Sequence, residues 1–201
     1  MTYNISQSAS QDALAVLFVS KARVAVLRLF LIDPSRSYYQ RQVEAATGLA
    51  IRAVQRELER LTSVGLFYRR QDGNRIYYHT DRASPLFPEL RAMVLKTCDP
   101  EERLRAALAV DDSVRLAFLL RDAGRVLVVK KAGRGAEGLS HPPYTVKVVS
   151  SEDFSRALRE APQTLAPFLR EGVDILGRRD DALWHQIEKA GFGVEKGKGV
   201  A

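Results

Sequence analysis

One cysteine stands among the 201 residues, Cys98, so no internal disulfide can form and a thiolate metal site has no material. That usage fits a reducing compartment. No stretch approaches the roughly 18 consecutive apolar residues of a membrane-spanning helix. The amino end, MTYNISQSASQD, is polar where a secretory leader is charged and then apolar. The expectation is a cytoplasmic protein without a membrane partner. Three histidines, His79, His141 and His185, lie far apart and have no second ligand at metal spacing. The glycine-rich AGRGAEG, residues 132–138, lacks the Gly-Lys-Ser/Thr ending that a P-loop uses to hold phosphate, and reads as a loop.

What is present is enough for a real core: 46% of residues are hydrophobic and 27% charged. The net charge of +7 is uneven. Residues 1–98 hold 14 Lys and Arg against 8 Asp and Glu, whereas residues 99–201 hold 17 against 16. Basic excess confined to one segment is what phosphate neutralisation calls for, so nucleic acid is the partner to test there. Asp99-Pro100 marks the expected boundary between two domains, 1–98 and 99–201.

Along the first segment, ALAVLFVSKARVAVLRLFLID predicts one long helix, with Ser8, Ser10 or Asp12 as its N-cap. Its apolar residues are too dense for a one-sided surface helix, which points to deep core or a second chain. Pro34 ends it, and Ser35 or Ser37 is the expected cap of a helix in YYQRQVEAAT. Gly48 breaks that helix. Leu49, Val54, Leu58 and Leu61 then recur at near-helical spacing, with Arg52, Gln55, Arg56, Glu59 and Arg60 opposite. GLFYRRQDGNRIYYHT follows as a hairpin turning at Asp72-Gly73-Asn74, because Gly and Asn tolerate positive φ. LFPELRAMVLKTC predicts one more amphipathic helix.

These elements carry a defined chemistry. An α-helix fits the major groove of DNA, where Arg and Gln side chains near its start reach base edges, which makes Arg52, Gln55 and Arg56 the direct-readout candidates. Gln40 and Arg41 open the preceding helix, whose amides and dipole attract phosphate, and are placed as positioning contacts. Arg69, Arg70, Asn74 and Arg75 project from the hairpin toward phosphates or the minor groove, while Phe67, Tyr77 and Tyr78 anchor its base.

The run YYQRQVEAATGLAIRAVQRELERLTSVGLFYRRQDGNRIYYHTD, followed by SPLFPELRAMVLKT, resembles the winged-helix regulators related to the arsenic-repressor group. Residues 15–97 carry the resemblance, with GLAIRAVQREL, Gly48 to Leu58, its most specific part. It is closest to a subset fused to a small nucleotidyltransferase-like domain of the DNA polymerase β superfamily. The resemblance implies a winged helix-turn-helix regulator of transcription that works as a homodimer on double-stranded DNA, with the first and post-wing helices pairing across a twofold axis, and the expected regulator is a repressor.

The second segment changes pattern. PEERLRAALA predicts a helix; VRLAFLL, RVLVVKK and YTVKVVS predict strands, the first two joined at Arg121-Asp122-Ala123-Gly124. Ser151 is the expected cap of EDFSRALREA, a helix is expected at about 164–171, VDILG reads as a fourth strand, DDALWHQIEKA as a last helix and EKGKGVA as a loose tail. The expected fold class is α+β: a winged helix, then a small α/β domain with a mixed sheet of about four strands. The transferase chemistry that the resemblance brings needs a Gly-Ser turn and paired aspartates on strands. Neither stands here: the strand reads Val126 to Lys131, and the nearest acids are Asp122 and Glu137 in loops. No catalytic, cofactor-binding or metal-ligating residue is therefore assigned, and the domain is expected to be a degenerate one. Two alternatives stay open: a nucleotide-binding enzyme or sensor using Lys130, Lys131 and the glycine loop, and an antitoxin-like interaction module. A protein partner or a small-molecule effector is compatible with either.

Overall fold

The computed structural model of the protein describes residues 13–131, 141–197 and 200. The glycine-rich loop and Glu137 lie outside them. The chain forms two units, residues 1–110 and 111–200, each with its own apolar core. The class is mixed α and β, with one three-stranded antiparallel sheet and one five-stranded mixed sheet.

In the first unit, residues 13–17 are helical and α1 spans Lys21–Ile32. The expected single helix is thus broken. The Ser20 hydroxyl accepts the Arg23 amide and starts a new N-terminus, and Val19 before it has φ 52°. Helix α1 ends at Asp33, which directly precedes Pro34, where a ring without an N–H cannot continue the ladder. The next helix is not capped by Ser35 or Ser37. Ser35 instead donates to Asp33, and Tyr38–Tyr39 forms a short strand β1. Helix α2, Gln40–Thr47, starts directly after it, and the Gln42 side chain accepts the Tyr39 amide. Gly48, at φ 68°, closes α2 in the left-handed conformation that only glycine adopts freely. Helix α3 spans Ile51–Ser63 and buries Val54, Glu57, Leu58 and Leu61; Leu49 lies before its first turn.

Strands β2, Phe67–Asp72, and β3, Arg75–Thr80, form the expected hairpin, Asp72 facing Arg75 across a two-residue tip. Gly73 takes the positive φ, 55°, and Asn74 does not share it. Strand β1 joins β3 through Tyr38↔Tyr78 and Tyr39↔Tyr77. Phe30 of α1 stacks on Phe67 and meets Tyr38 edge-on, which ties hairpin and strand to the core. Helices α4, Phe87–Lys96, and α5, Pro100–Ala109, complete the unit.

Helix α5 belongs to the first unit, so the division falls at Val110/Asp111 and not at residue 98. The reason is a shared carboxylate. Glu102 accepts the Asp99 amide in the capping box and pairs with Arg28 of α1 at 2.7 Å, while Arg28 also donates to the Thr97 carbonyl and hydroxyl. Asp99-Pro100 therefore starts a helix without ending a domain. Buried Arg105 of α5 lies beside Tyr38, whose hydroxyl is pushed up to about 12 by burial, with the Arg105 charge opposing.

The second unit is built on the five-stranded mixed sheet, with Val114–Leu120 as its middle strand. Strands β4, Val114–Leu120, and β5, Arg125–Lys130, pair antiparallel; β6, Thr145–Ser150, lies parallel to β5. On the other side, β7 is only Val173–Asp174, and β8, Glu195–Lys196, pairs with it in parallel. The carboxyl end thus supplies a fifth strand where a loose tail was expected. Helix α6, Ser151–Glu160, is capped by Ser150, not Ser151: the Ser150 hydroxyl accepts the Asp153 amide. A single 3-10 turn, Pro162–Thr164, precedes the short helix α7, Ala166–Arg170. Helix α8, Ala182–Lys189, is capped by Asp181, which also receives a bidentate Arg115. Among the described residues no helix is long and apolar enough to cross a membrane.

Candidate nucleic-acid interface

Helix α3 is amphipathic in a particular way. Val54, Leu58 and Leu61 face the core, and Glu57, on the same stripe, is buried with them at 1% exposure. A buried carboxylate must be paired. Arg23 of α1 meets it at 3.0 Å, Ser20 donates at 3.4 Å and Arg60 at 3.2 Å. The Arg56 guanidinium lies 3.9 Å from the same carboxylate while 59% of its side chain stays exposed. Arg23 also donates to the Phe18 carbonyl where the helix is interrupted. Glu57 thus fixes α3 against α1 and steers Arg56. Its place between Val54 and Leu58 on the apolar stripe is the signal of that burial in the sequence.

With that stripe inward, Arg52 and Arg56 are exposed one turn apart, and Gln55 is half-buried between them. The structure brings Gln55 and Gln40 together: the Gln55 amide donates to Gln40 Oε1 at 3.1 Å. Gln40 in turn donates to the buried Tyr78 hydroxyl of β3 at 3.4 Å. Gln40 therefore joins α2, α3 and the hairpin through its side chain, a role sequence spacing did not suggest. Arg41, next to it, is exposed.

On the hairpin, Arg69, Arg70, Asn74 and Arg75 are all exposed. Arg75 lies over the Tyr39 ring at 4.8 Å, and Tyr39 meets Tyr77 edge-on at 5.7 Å. The Arg75 charge is favoured by a hydrogen bond to Tyr77. Tyr68 and His79, opposite one another, stack at 4.9 Å with nearly parallel rings. Partial burial, and then the nearby Arg70, hold the His79 imidazole below its ordinary value. The predicted anchors differ in depth: Phe67 and Tyr78 are buried, Tyr77 half-buried. A helix pair and a hairpin thus meet through Gln40, and both α3 and the hairpin carry exposed cations, an arrangement suited to an extended polyanion.

In the second unit several ionic groups pair within the unit. Lys130 pairs with Asp111 at 3.1 Å, and Lys131 is exposed. Asp174 on β7 is fully buried; it accepts the Leu176 and Gly177 amides and faces Arg179. Asp122 is exposed on the β4–β5 turn. Among the described residues no three His, Cys, Asp or Glu side chains gather as a metal site. No protein-family model, curated protein or solved structure matched the chain.

Proposed function

We propose that the protein is a sequence-specific DNA-binding regulator of transcription, a homodimeric repressor whose first unit is a winged helix. In this reading α3 enters the major groove, Arg52, Gln55 and Arg56 read bases, Gln40 and Arg41 position the backbone, and the hairpin is a wing whose Arg69, Arg70, Asn74 and Arg75 contact phosphate. One observation carries it. Helix α2, helix α3 and the hairpin meet through Gln55, Gln40 and Tyr78, with the basic side chains of α3 and the hairpin left outward. The arginines that stabilise the fold, Arg23, Arg28 and Arg115, are paired with acids and differ from those assigned to DNA.

For the dimer, support comes from exposed apolar side chains near α1 and α4: Val16 is 75% exposed, Leu17 66% and Leu86 48%. The second unit is read as a degenerate nucleotidyltransferase-like domain without transfer activity, kept for folding or for binding a protein partner or small effector. Its buried acid, Asp174, is held by amides and Arg179, and Lys130 and Asp111 neutralise each other, so neither carboxylate is set to hold a metal. The test is selection of a binding site from random duplexes, then fluorescence anisotropy across a salt series. Tight binding to the selected site that falls steeply with salt is expected; equal affinity for selected and random DNA would overturn sequence specificity.

A further inference from the structure

The chain of hydrogen bonds Tyr78–Gln40–Gln55 constrains what Gln55 can offer. Gln40 uses both ends of its amide: the oxygen accepts from Gln55 Nε2 at 3.1 Å and the nitrogen donates to the Tyr78 hydroxyl at 3.4 Å. Tyr78 is 2% exposed, and its hydroxyl belongs to a strand paired on both sides, with β1 and β2. With Gln40 donating to Tyr78, its oxygen is the end turned to Gln55, and Gln55 answers with its nitrogen. One Gln55 N–H is thereby consumed. The second N–H and the oxygen remain side by side.

That remaining pair has a specific complement. Adenine in the major groove presents an acceptor at N7 beside a donor at N6, whereas guanine presents acceptors at both N7 and O6. An amide presenting one donor and one acceptor satisfies adenine at both edges, and its oxygen opposes guanine O6. We infer that Tyr78 and Gln40 form a positioning relay that fixes the Gln55 amide to read adenine and reject guanine, so that a hairpin residue which touches no base sets the specificity of α3. The relay rests on the regulator reading. It adds that Tyr78 and Gln40 act on one base position through Gln55. A structural tyrosine would act on none selectively.

The test uses the full-length protein and its selected duplex. Each base pair of the site is replaced in turn, and anisotropy is measured with the wild type, Gln55→Ala, Tyr78→Phe, Gln40→Leu and the double variant Tyr78→Phe/Gln55→Ala. Phe keeps the ring in its packed place and removes only the hydroxyl. Gln55→Ala is expected to flatten the preference at one A·T pair. Tyr78→Phe and Gln40→Leu are expected to lower the adenine-over-guanine ratio at that same pair by about fivefold, the size of one lost hydrogen bond, while ratios at other pairs stay within about twofold. The double variant should match Gln55→Ala alone, because the relay has no other outlet. A Tyr78→Phe profile identical to wild type overturns the relay, and so does a uniform loss at every position. A Gln55-dependent position preferring guanine also overturns it. Failure of the wild type to select any sequence overturns the regulator reading itself and is told apart from these by the wild-type measurement.

Discussion

At the scale of single residues, the same side-chain chemistry has opposite uses. Arg23 and Arg28 are tied to Glu57 and Glu102, whereas Arg52 and Arg70 stand exposed. Arg52→Ala or Arg56→Ala is expected to weaken binding to the selected site by about 1–3 kcal/mol and to relax its sequence preference. Arg70→Ala or Arg75→Ala should weaken selected and random DNA alike; anisotropy on both duplexes separates the two. Asp111 gives a pH prediction. Burial works against its charge, but the Ser113 hydroxyl and amide, and then Lys130, outweigh it and hold the carboxyl at about 2, below the ordinary 3.8. A folded value below the unfolded one gives stability that is present above pH 3.8 and drains away as pH falls toward 2. Wild type should therefore melt above Asp111→Asn at neutral pH, and the gap should close between those two values. A gap that persists at pH 2 would show that the Asp111 charge is not its source.

At the scale of elements, local capping decides where helices start. Ser20 and Ser150 each accept an amide three residues on, and each sets the first turn of its helix. The break before α1 leaves Val19, a β-branched residue with 89% exposure, at φ 52°. Left-handed backbone is disfavoured for such a side chain, whereas Asn tolerates it. Val19→Asn is expected to raise unfolding stability by about 1 kcal/mol, seen as a higher urea midpoint with an unchanged slope. No gain would mean the surrounding contacts already relieve the strain. Elsewhere, pairing decides what periodicity leaves open. Glu195–Lys196 is a strand because Val173–Asp174 offers it a backbone edge.

At the scale of the whole molecule, the division at Val110/Asp111 has a consequence for dissection. A fragment of residues 1–110 keeps α5 and the Arg28–Glu102 pair and is expected to unfold cooperatively. A fragment ending at residue 98 loses Glu102 and leaves the part-buried Arg28 without its acid; it should melt at lower temperature, as circular dichroism would record. Equal melting of the two would return the boundary to residue 98. If the regulator is a homodimer, its sites should be inverted repeats with half-site centres about 34–36 Å apart. A monomer by sedimentation at micromolar concentration, with a selected site that lacks symmetry, would overturn that reading.

The sequence by itself determined most of the elements. Hydrophobic period and β-branched runs located β4 and β5 around Arg121–Gly124, Gly48 separated α2 from α3, and Asp72-Gly73-Asn74 located the hairpin, because each depends on a few neighbouring residues. The exposed basic side chains of the candidate site were legible for the same reason: Arg52 and Arg56 lie opposite a regular apolar stripe. Tertiary structure alone decided the rest. Glu57 is a buried hub only because Arg23 approaches from α1, Gln40 is bound to Gln55 and Tyr78 only because β1 pairs with β3 and α2 packs beside α3, and α5 joins the first unit through Arg28. Partners that lie 15 to 74 residues apart leave no periodic trace, since their pairing depends on how packed elements direct side chains toward one another.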